Sequence, residues 1–339
     1  MTALSTFSTF SKSYTRRDWL AAAGSGALLA SSAEAAAAAP AEKDLRGAFI
    51  ILSTPFTESK ALDYEDLARE VQFLDKCGVQ GLVWPQFSSE LVQLTKEERL
   101  RGMDVLAAAA RGKKPVLVLG VQGADTAEML EYASHAEKLA PDAMIAIPPT
   151  RAKSIDEYHE YYRELCKLAK RPVFTQTSGG APGLELSVDF MVGLAREFPN
   201  FGYIKEEHDP VIARMRALIT HRPDPIKRVF GATFGTSSLY EMRVGSDGTI
   251  TGGAMYADVY AQLWSLHQQN KMAEKRDLFS KLMLMLNLDH DIPGARLYLM
   301  KKRGIFKTSV SRQKETRVTA EEIAEIEYRF DTLKPWLRA

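Results

Sequence analysis

The residue in this sequence best suited to chemistry is Lys205, in the run Phe201-Gly202-Tyr203-Ile204-Lys205-Glu206-Glu207-His208. An amine is a nucleophile only when it has lost its proton. A lysine closing a short apolar segment beside Tyr203 and Ile204 is desolvated enough for its pKa to fall. The structural alternative is a lysine that leaves a strand end for solvent; the cost of burying an unpaired ammonium argues against keeping one there without use. Glu207 lies two residues on. Side chains two apart on a strand share a face, so Glu207 is expected beside Lys205, where a carboxylate can serve as general acid and base. It could equally be a loop carboxylate capping the next helix, near His208 and Asp209. His208 is open in the same way, as a surface residue or a proton relay.

Both residues need a scaffold that brings a strand end to a shared mouth. From residue 47 onward, short apolar runs at 48–53, 81–84, 115–120, 143–147, 172–175, 201–204, 228–232 and 248–251 alternate with amphipathic stretches, the signature of repeated βα units on a parallel sheet. Eight such runs predict an α/β fold, a (β/α)8 TIM barrel whose active site lies at the C-terminal ends of the strands. The intervening helices have readable boundaries. Asp63 caps the first, whose apolar face is Tyr64, Leu67, Val71 and Leu74, and Gly78 ends it. Thr95 with Glu98, Asp125 with Glu128 and Ser154 with Glu157 have the spacing of capping boxes. After the eighth strand, three helical segments, 257–291, 293–303 and 319–337, predict a C-terminal helical extension. Residues 41–339 thus form one catalytic domain, with the barrel over about 47–270 and the helices over about 271–339.

The first 40 residues have a different composition. Thr15-Arg16-Arg17-Asp18-Trp19-Leu20 precedes a weakly apolar stretch at 19–30 and a small-residue zone, an order that resembles a twin-arginine signal peptide with cleavage between 35 and 39. A dozen moderately apolar residues cannot span about 30 Å of hydrocarbon, so the expectation is export to the periplasm without a stable membrane span. Cys77 and Cys166 fall in separate helices and read as buried thiols. Lys plus Arg number 44 against 43 for Asp plus Glu, with no basic stripe, so a nucleic-acid partner is not expected. No metal is expected either: Asp289-His290-Asp291 lacks a companion HExxH or Cys pair and reads as a helix-terminal turn before Pro293.

Ser53-Thr54-Pro55-Phe56, Leu94-Thr95-Lys96-Glu97-Glu98-Arg99, Ile147-Pro148-Pro149 and Phe201-Gly202-Tyr203-Ile204-Lys205-Glu206 follow one another at distances that resemble the dihydrodipicolinate synthase and N-acetylneuraminate lyase family over residues 47–300. The resemblance implies a barrel enzyme without a cofactor. In it, a strand-six lysine, here Lys205, condenses with a small-molecule 2-oxo acid, and the assembly is a homo-oligomer, tetramer or dimer. Substrate would be bound by Thr54, by Phe87, Ser88 and Ser89 after strand two, by Gln176 after strand five, and by Gly252, where bare backbone lets a carboxylate or phosphate approach. This chain departs from the family at several of these places. The loop after strand two reads Gln86-Phe87-Ser88-Ser89-Glu90 in place of Gly-Thr-Thr-Gly-Glu, and Gln176 stands where the family has a proton-relaying tyrosine. Ala181 stands where the synthases carry an arginine, and Pro149 and Thr150 replace a tyrosine pair. Lysine-biosynthetic activity is therefore not expected. The bulk of Phe87 predicts that pyruvate itself condenses weakly. The alternative is a periplasmic small-molecule-binding barrel whose proton relay has decayed, and fold alone does not separate the two.

Overall fold

The computed structural model describes residues 43–339, so the segment read as an export signal and its cleavage zone lie outside the described residues. Each apolar run forms a strand: β1 (Gly47–Ile51), β2 (Gly81–Trp84), β3 (Val116–Gly120), β4 (Ala143–Ala146), β5 (Val173–Gln176), β6 (Tyr203–Lys205), β7 (Arg228–Phe230) and β8 (Gly248–Thr251). All pair in parallel in chain order, with β8 returning to β1. The ring closes through a bridge between Gly231 and Thr249, with the Ile250 amide donating to the Gly231 carbonyl at 2.9 Å. The predicted TIM barrel is thus observed. Its strand ends differ slightly from expectation. β1 stops at Ile51 and the Ser53 amide donates instead to the Glu70 carboxylate at 3.0 Å, while β6 begins only after Gly202, whose φ of 111° suits glycine alone.

Around the barrel run α1 (Tyr64–Cys77), α2 (Lys96–Ala110), α3 (Thr126–Leu139), α4 (Ile155–Leu168), α5 (Val188–Glu197), α6 (Val211–Ile219), α7 (Ser238–Val244) and α8 (Ala257–Gln268). Asp63 caps α1 by accepting from the Glu65 and Asp66 amides, and Gly78 ends it in the left-handed conformation. Thr95 and Glu98 form a reciprocal box. At α3 and α4 the second half shifts by one residue, Glu128 accepting from the Ala124 amide and Glu157 from the Lys153 amide. Beyond β8 the segment expected at 257–291 is three helices: α8, α9 (Met272–Leu286) and α10 (Leu288–Asp291). The first break falls at Asn270, in the left-handed region that asparagine tolerates. α11 (Ala295–Lys302) and α12 (Ala320–Phe330) complete the extension. Among the described residues, no helix is long and apolar enough to cross a membrane.

Alternation along the strands builds two cores. Outward side chains such as Ile50, Leu82, Leu119 and Ile204 pack under the helices. Inward ones, among them Phe49, Val83, Val118, Ile145, Phe174, Phe230 and Ile250, fill the barrel together with Tyr203. Cys77 and Cys166 are free and buried, and burial pushes both thiols up to about 12, so neither is a nucleophile near neutral pH.

Candidate active site

Lys205 closes β6 on the inward face, one layer above an aromatic floor. Phe174 lies 5.0 Å from Tyr203 and 5.7 Å from Phe230, ring to ring. That floor and the surrounding loops leave Lys205 only 4% exposed. Its register partner on β5 is Gln176, and residues side by side in a parallel pair point the same way. The Lys205 Nζ accordingly donates to Gln176 Oε1 at 2.6 Å and meets Glu207 Oε2 at 3.3 Å. Burial lowers the lysine pKa, and the Glu207 carboxylate acts against part of that shift. Glu207 therefore stands where strand alternation placed it, beside the amine rather than at a helix cap.

A residue that the sequence reading passed over completes the arrangement. Ser178, in the loop after β5, donates its hydroxyl to Glu207 Oε2 at 3.0 Å and accepts from Gln176 Nε2 at 3.3 Å. Lys205, Gln176, Ser178 and Glu207 thus form a closed ring of polar contacts in which an amide, unable to titrate, orients an amine and a carboxylate that can. The loop is held from below. Thr177 accepts from the Glu207 amide at 2.9 Å and donates to the buried Glu206 at 2.7 Å, and Arg214 pairs with Glu206 at 3.2 Å. The second oxygen of Glu207 accepts from the Thr233 amide at 3.3 Å. His208 turns away, to Glu185 at 2.5 Å.

The loop after β2 supplies the opposite wall. Thr54 donates to the Ser89 carbonyl at 2.6 Å and accepts from Trp84 Nε1 at 3.0 Å, while Ser89 donates to the Leu52 carbonyl at 2.6 Å. These two hydroxyls fix the loop. Ser88 instead faces β8: a Cβ on Gly252 would fall 2.7 Å from its Oγ and 2.9 Å from the Phe234 ring, so glycine there is a condition for the close approach. Phe87 is 46% exposed and lies against Gly179, with one cleft of about 350 Å³ and another of about 240 Å³ opening beside it. A wider cavity of about 510 Å³ sits at the N-terminal ends of the strands, around Arg222, Arg228 and Asp247, away from the face where barrels of this kind work.

Glu241, on α7, is almost wholly buried against Gly231, just after β7; a Cβ there would overlap its carboxylate. Burial, with a smaller contribution from the Glu207 charge, pushes its pKa up to about 7, although the Ala232 amide hydrogen-bonds the carboxylate. A carboxyl whose folded pKa lies above its unfolded one takes up protons on folding. Its stabilising effect is complete below about pH 4.5 and is lost as pH rises through about 7. Glu241→Gln is expected to flatten that decline. Thermal unfolding at pH 5 and pH 8 should show the wild type losing up to about 3 kcal/mol between them and the variant much less. An equal loss in both would mean that another group carries it.

Residues 44–327 match the dihydrodipicolinate synthetase family. The chain is 27% identical over 258 residues to a 4-hydroxy-tetrahydrodipicolinate synthase from Prosthecochloris aestuarii, covering 72% of this chain and 82% of that protein. It is also 27% identical over 240 residues to the enzyme of that name from Chlorobium phaeobacteroides, covering 70% and 79%. Among solved structures, dihydrodipicolinate synthase from Aquifex aeolicus superimposes with a TM-score of 0.76 at 19% identity over 87% of this chain and 100% of that one. N-acetylneuraminate lyase from Proteus mirabilis does so at 0.74 and 19% over 86% and 99%. At such identity these structural likenesses speak for the barrel alone.

Proposed function

This chain belongs to the dihydrodipicolinate synthetase family, whose members are lyases that work through a lysine Schiff base, and we propose that Lys205 is that lysine and Glu207 its proton carrier. The observation that carries this reading is the buried amine held between Gln176 Oε1 and Glu207 Oε2. Glu207 takes a proton from the ammonium, and the freed amine attacks the keto carbon of a 2-oxo acid to give a carbinolamine. Glu207 then returns the proton to the departing hydroxyl, which leaves as water. The product is a protonated imine opposite a carboxylate, so the site begins and ends the step as the same ion pair and no net charge is moved into the barrel. With the iminium as electron sink, the same carboxylate can remove a substrate hydroxyl proton to break a C–C bond, or take the proton next to the iminium carbon to form an enamine and then give it to the β-hydroxyl, which leaves as water as the C–O bond breaks.

The substrate in this reading is a 2-oxo acid or sugar acid, and the reaction an aldol cleavage or dehydration. The condensation named for the curated relatives is disfavoured by the family's missing tyrosine at Gln176 and missing arginine at Ala181, whose amide donates to the Tyr158 hydroxyl at 2.7 Å. Incubation with pyruvate and a panel of 2-oxo sugar acids, followed by borohydride reduction, tests it. A secondary amine mapped to Lys205 by mass spectrometry is the expected result, with weak trapping of pyruvate expected from the bulk of Phe87 where the family has a threonine. Absence of any adduct favours the binding-protein alternative.

The protein is further proposed to act after export, as a homo-oligomer, tetramer or dimer. The motif at Arg16 and Arg17 supports export. The double variant Arg16→Lys, Arg17→Lys is expected to stay in the cytoplasm on fractionation. Equal periplasmic amounts of the variant and the wild type would remove the twin-arginine route.

A further inference from the structure

We propose that the cleft of about 350 Å³ beside Phe87 receives the far arm of the substrate, and that this arm is apolar, an aryl group or an alkyl chain. This rests on Lys205 being the Schiff-base lysine, and adds the character of the substrate's tail to that reading. The lining of the cleft includes Phe87, Leu91, Val92, Leu94, Ile147 and Pro148. Val92 is 70% exposed and Phe87 46%, although a fold gains by burying side chains of this kind. Apolar surface left in water and gathered around one concave space marks a binding site, and the volume is in the range of small-molecule sites.

The cleft adjoins the catalytic ring through the loop after β5. Ser178 holds Glu207, and the next residue, Gly179, lines the cleft. Gly179 has a φ of 89°, and a Cβ on it would fall 2.4 Å from the Phe87 ring and 3.2 Å from Ile147; a Cβ on Gly180 would fall 2.7 Å from Pro148. Two successive glycines thus let the loop that carries Ser178 close directly on the apolar wall. An arm that extends along this loop from a keto carbon at Lys205 meets the cleft next. The charged side chains of the lining are engaged within the protein. Arg99 donates to the Gln122 carbonyl at 2.8 Å and lies over the Tyr132 ring at 3.6 Å, and Lys96 pairs with Glu131. Glu128 accepts from the Ala124 amide at 2.7 Å, and Arg151 pairs with Asp125 at 3.1 Å. A carboxylate or phosphate entering here would have to break one of these contacts, and a polyhydroxyl arm would give up water for an apolar wall. An aryl or alkyl arm meets neither cost and removes Phe87 and Val92 from water.

The test compares borohydride trapping at Lys205 within two pairs of acids. These are 2-oxo-4-phenylbutanoate against 2-oxobutanoate, which lacks the ring, and 2-oxohexanoate against a six-carbon 3-deoxy-2-oxo sugar acid. In the wild type the apolar-armed member of at least one pair is expected to reach half-maximal trapping at a concentration roughly tenfold lower, the scale of taking one such arm out of water. Which pair shows the preference tells aryl from alkyl. Val92→Asn changes a side chain outside the core and should collapse that ratio to within about threefold, with Leu91→Asn as a second variant and Val92→Leu retaining the preference. A merely structural effect would shift both members together and keep the ratio. Trapping without preference in the wild type, or a ratio unchanged in both asparagine variants, overturns the subsite while leaving the Schiff base intact. Sedimentation velocity of the same variants tells a substrate arm from a second copy of this chain seated on Val92: a smaller assembly with an unmoved ratio overturns the subsite in favour of an interface. No adduct with any acid overturns both the subsite and the Schiff base.

Discussion

Lys205→Arg is expected to abolish borohydride trapping and to lower turnover on the true substrate by about 10⁴-fold or more, the scale on which loss of a covalent nucleophile acts. Arginine retains the positive charge that Glu207 and Gln176 face, but a guanidinium stays protonated at any pH the protein survives and offers no lone pair to a keto carbon. The readout must be separated from misfolding, because the side chain sits in an enclosed space over Phe174, Tyr203 and Phe230. Circular dichroism and thermal unfolding of the variant supply that control, and Lys205→Met supplies a second nucleophile-free variant of smaller volume. In the wild type, trapping should accelerate with pH as the amine loses its proton. Because burial lowers the Lys205 pKa, the rise begins below the range of an exposed lysine. An adduct that persists in both variants would place the reactive amine elsewhere in the chain.

The second large effect belongs to Glu207. Glu207→Gln keeps the volume and can still accept from Ser178, yet removes the group that shuttles the proton, so turnover should fall by about 10²- to 10⁴-fold. A companion effect separates catalysis from mere support. The Glu207 charge raises the Lys205 pKa against the pull of burial, so its removal should move the onset of trapping to lower pH even as turnover falls. A slower enzyme with an unmoved onset would indicate damage to the loop. Unchanged turnover would exclude Glu207 as the relay.

Much of this site was legible in the sequence because the relevant rules are local. Period-two alternation put Lys205 and Glu207 on one face, and the chain bears this out at 3.3 Å. Capping at Asp63 and Thr95 likewise depends on neighbours three residues away, and both caps formed as read. The single segment expected at 257–291 failed for a local reason that the helical pattern hid, the left-handed turn at Asn270.

What the sequence could not supply was which strand stands beside which, at what register. Ser178 is an ordinary loop serine until the β5 and β6 register sets Gln176 against Lys205 and closes the ring. Nothing local in Thr54 or Ser89 reveals that their hydroxyls hold a loop, since the partners are carbonyls 35 and 37 residues away. Glu241 acquires its raised pKa only from the helix that presses it against Gly231. Arg296 comes from a helix beyond the barrel and meets Phe234 only because the C-terminal extension folds back over the mouth. The sequence by itself determined the eight-stranded barrel, the starts of its first four helices, and the shared face of amine and carboxylate, because periodicity and capping act over a few residues. The orienting partners and the buried acid were decided by tertiary structure, because each depends on contacts between segments whose separation in sequence carries no signal of their distance in space.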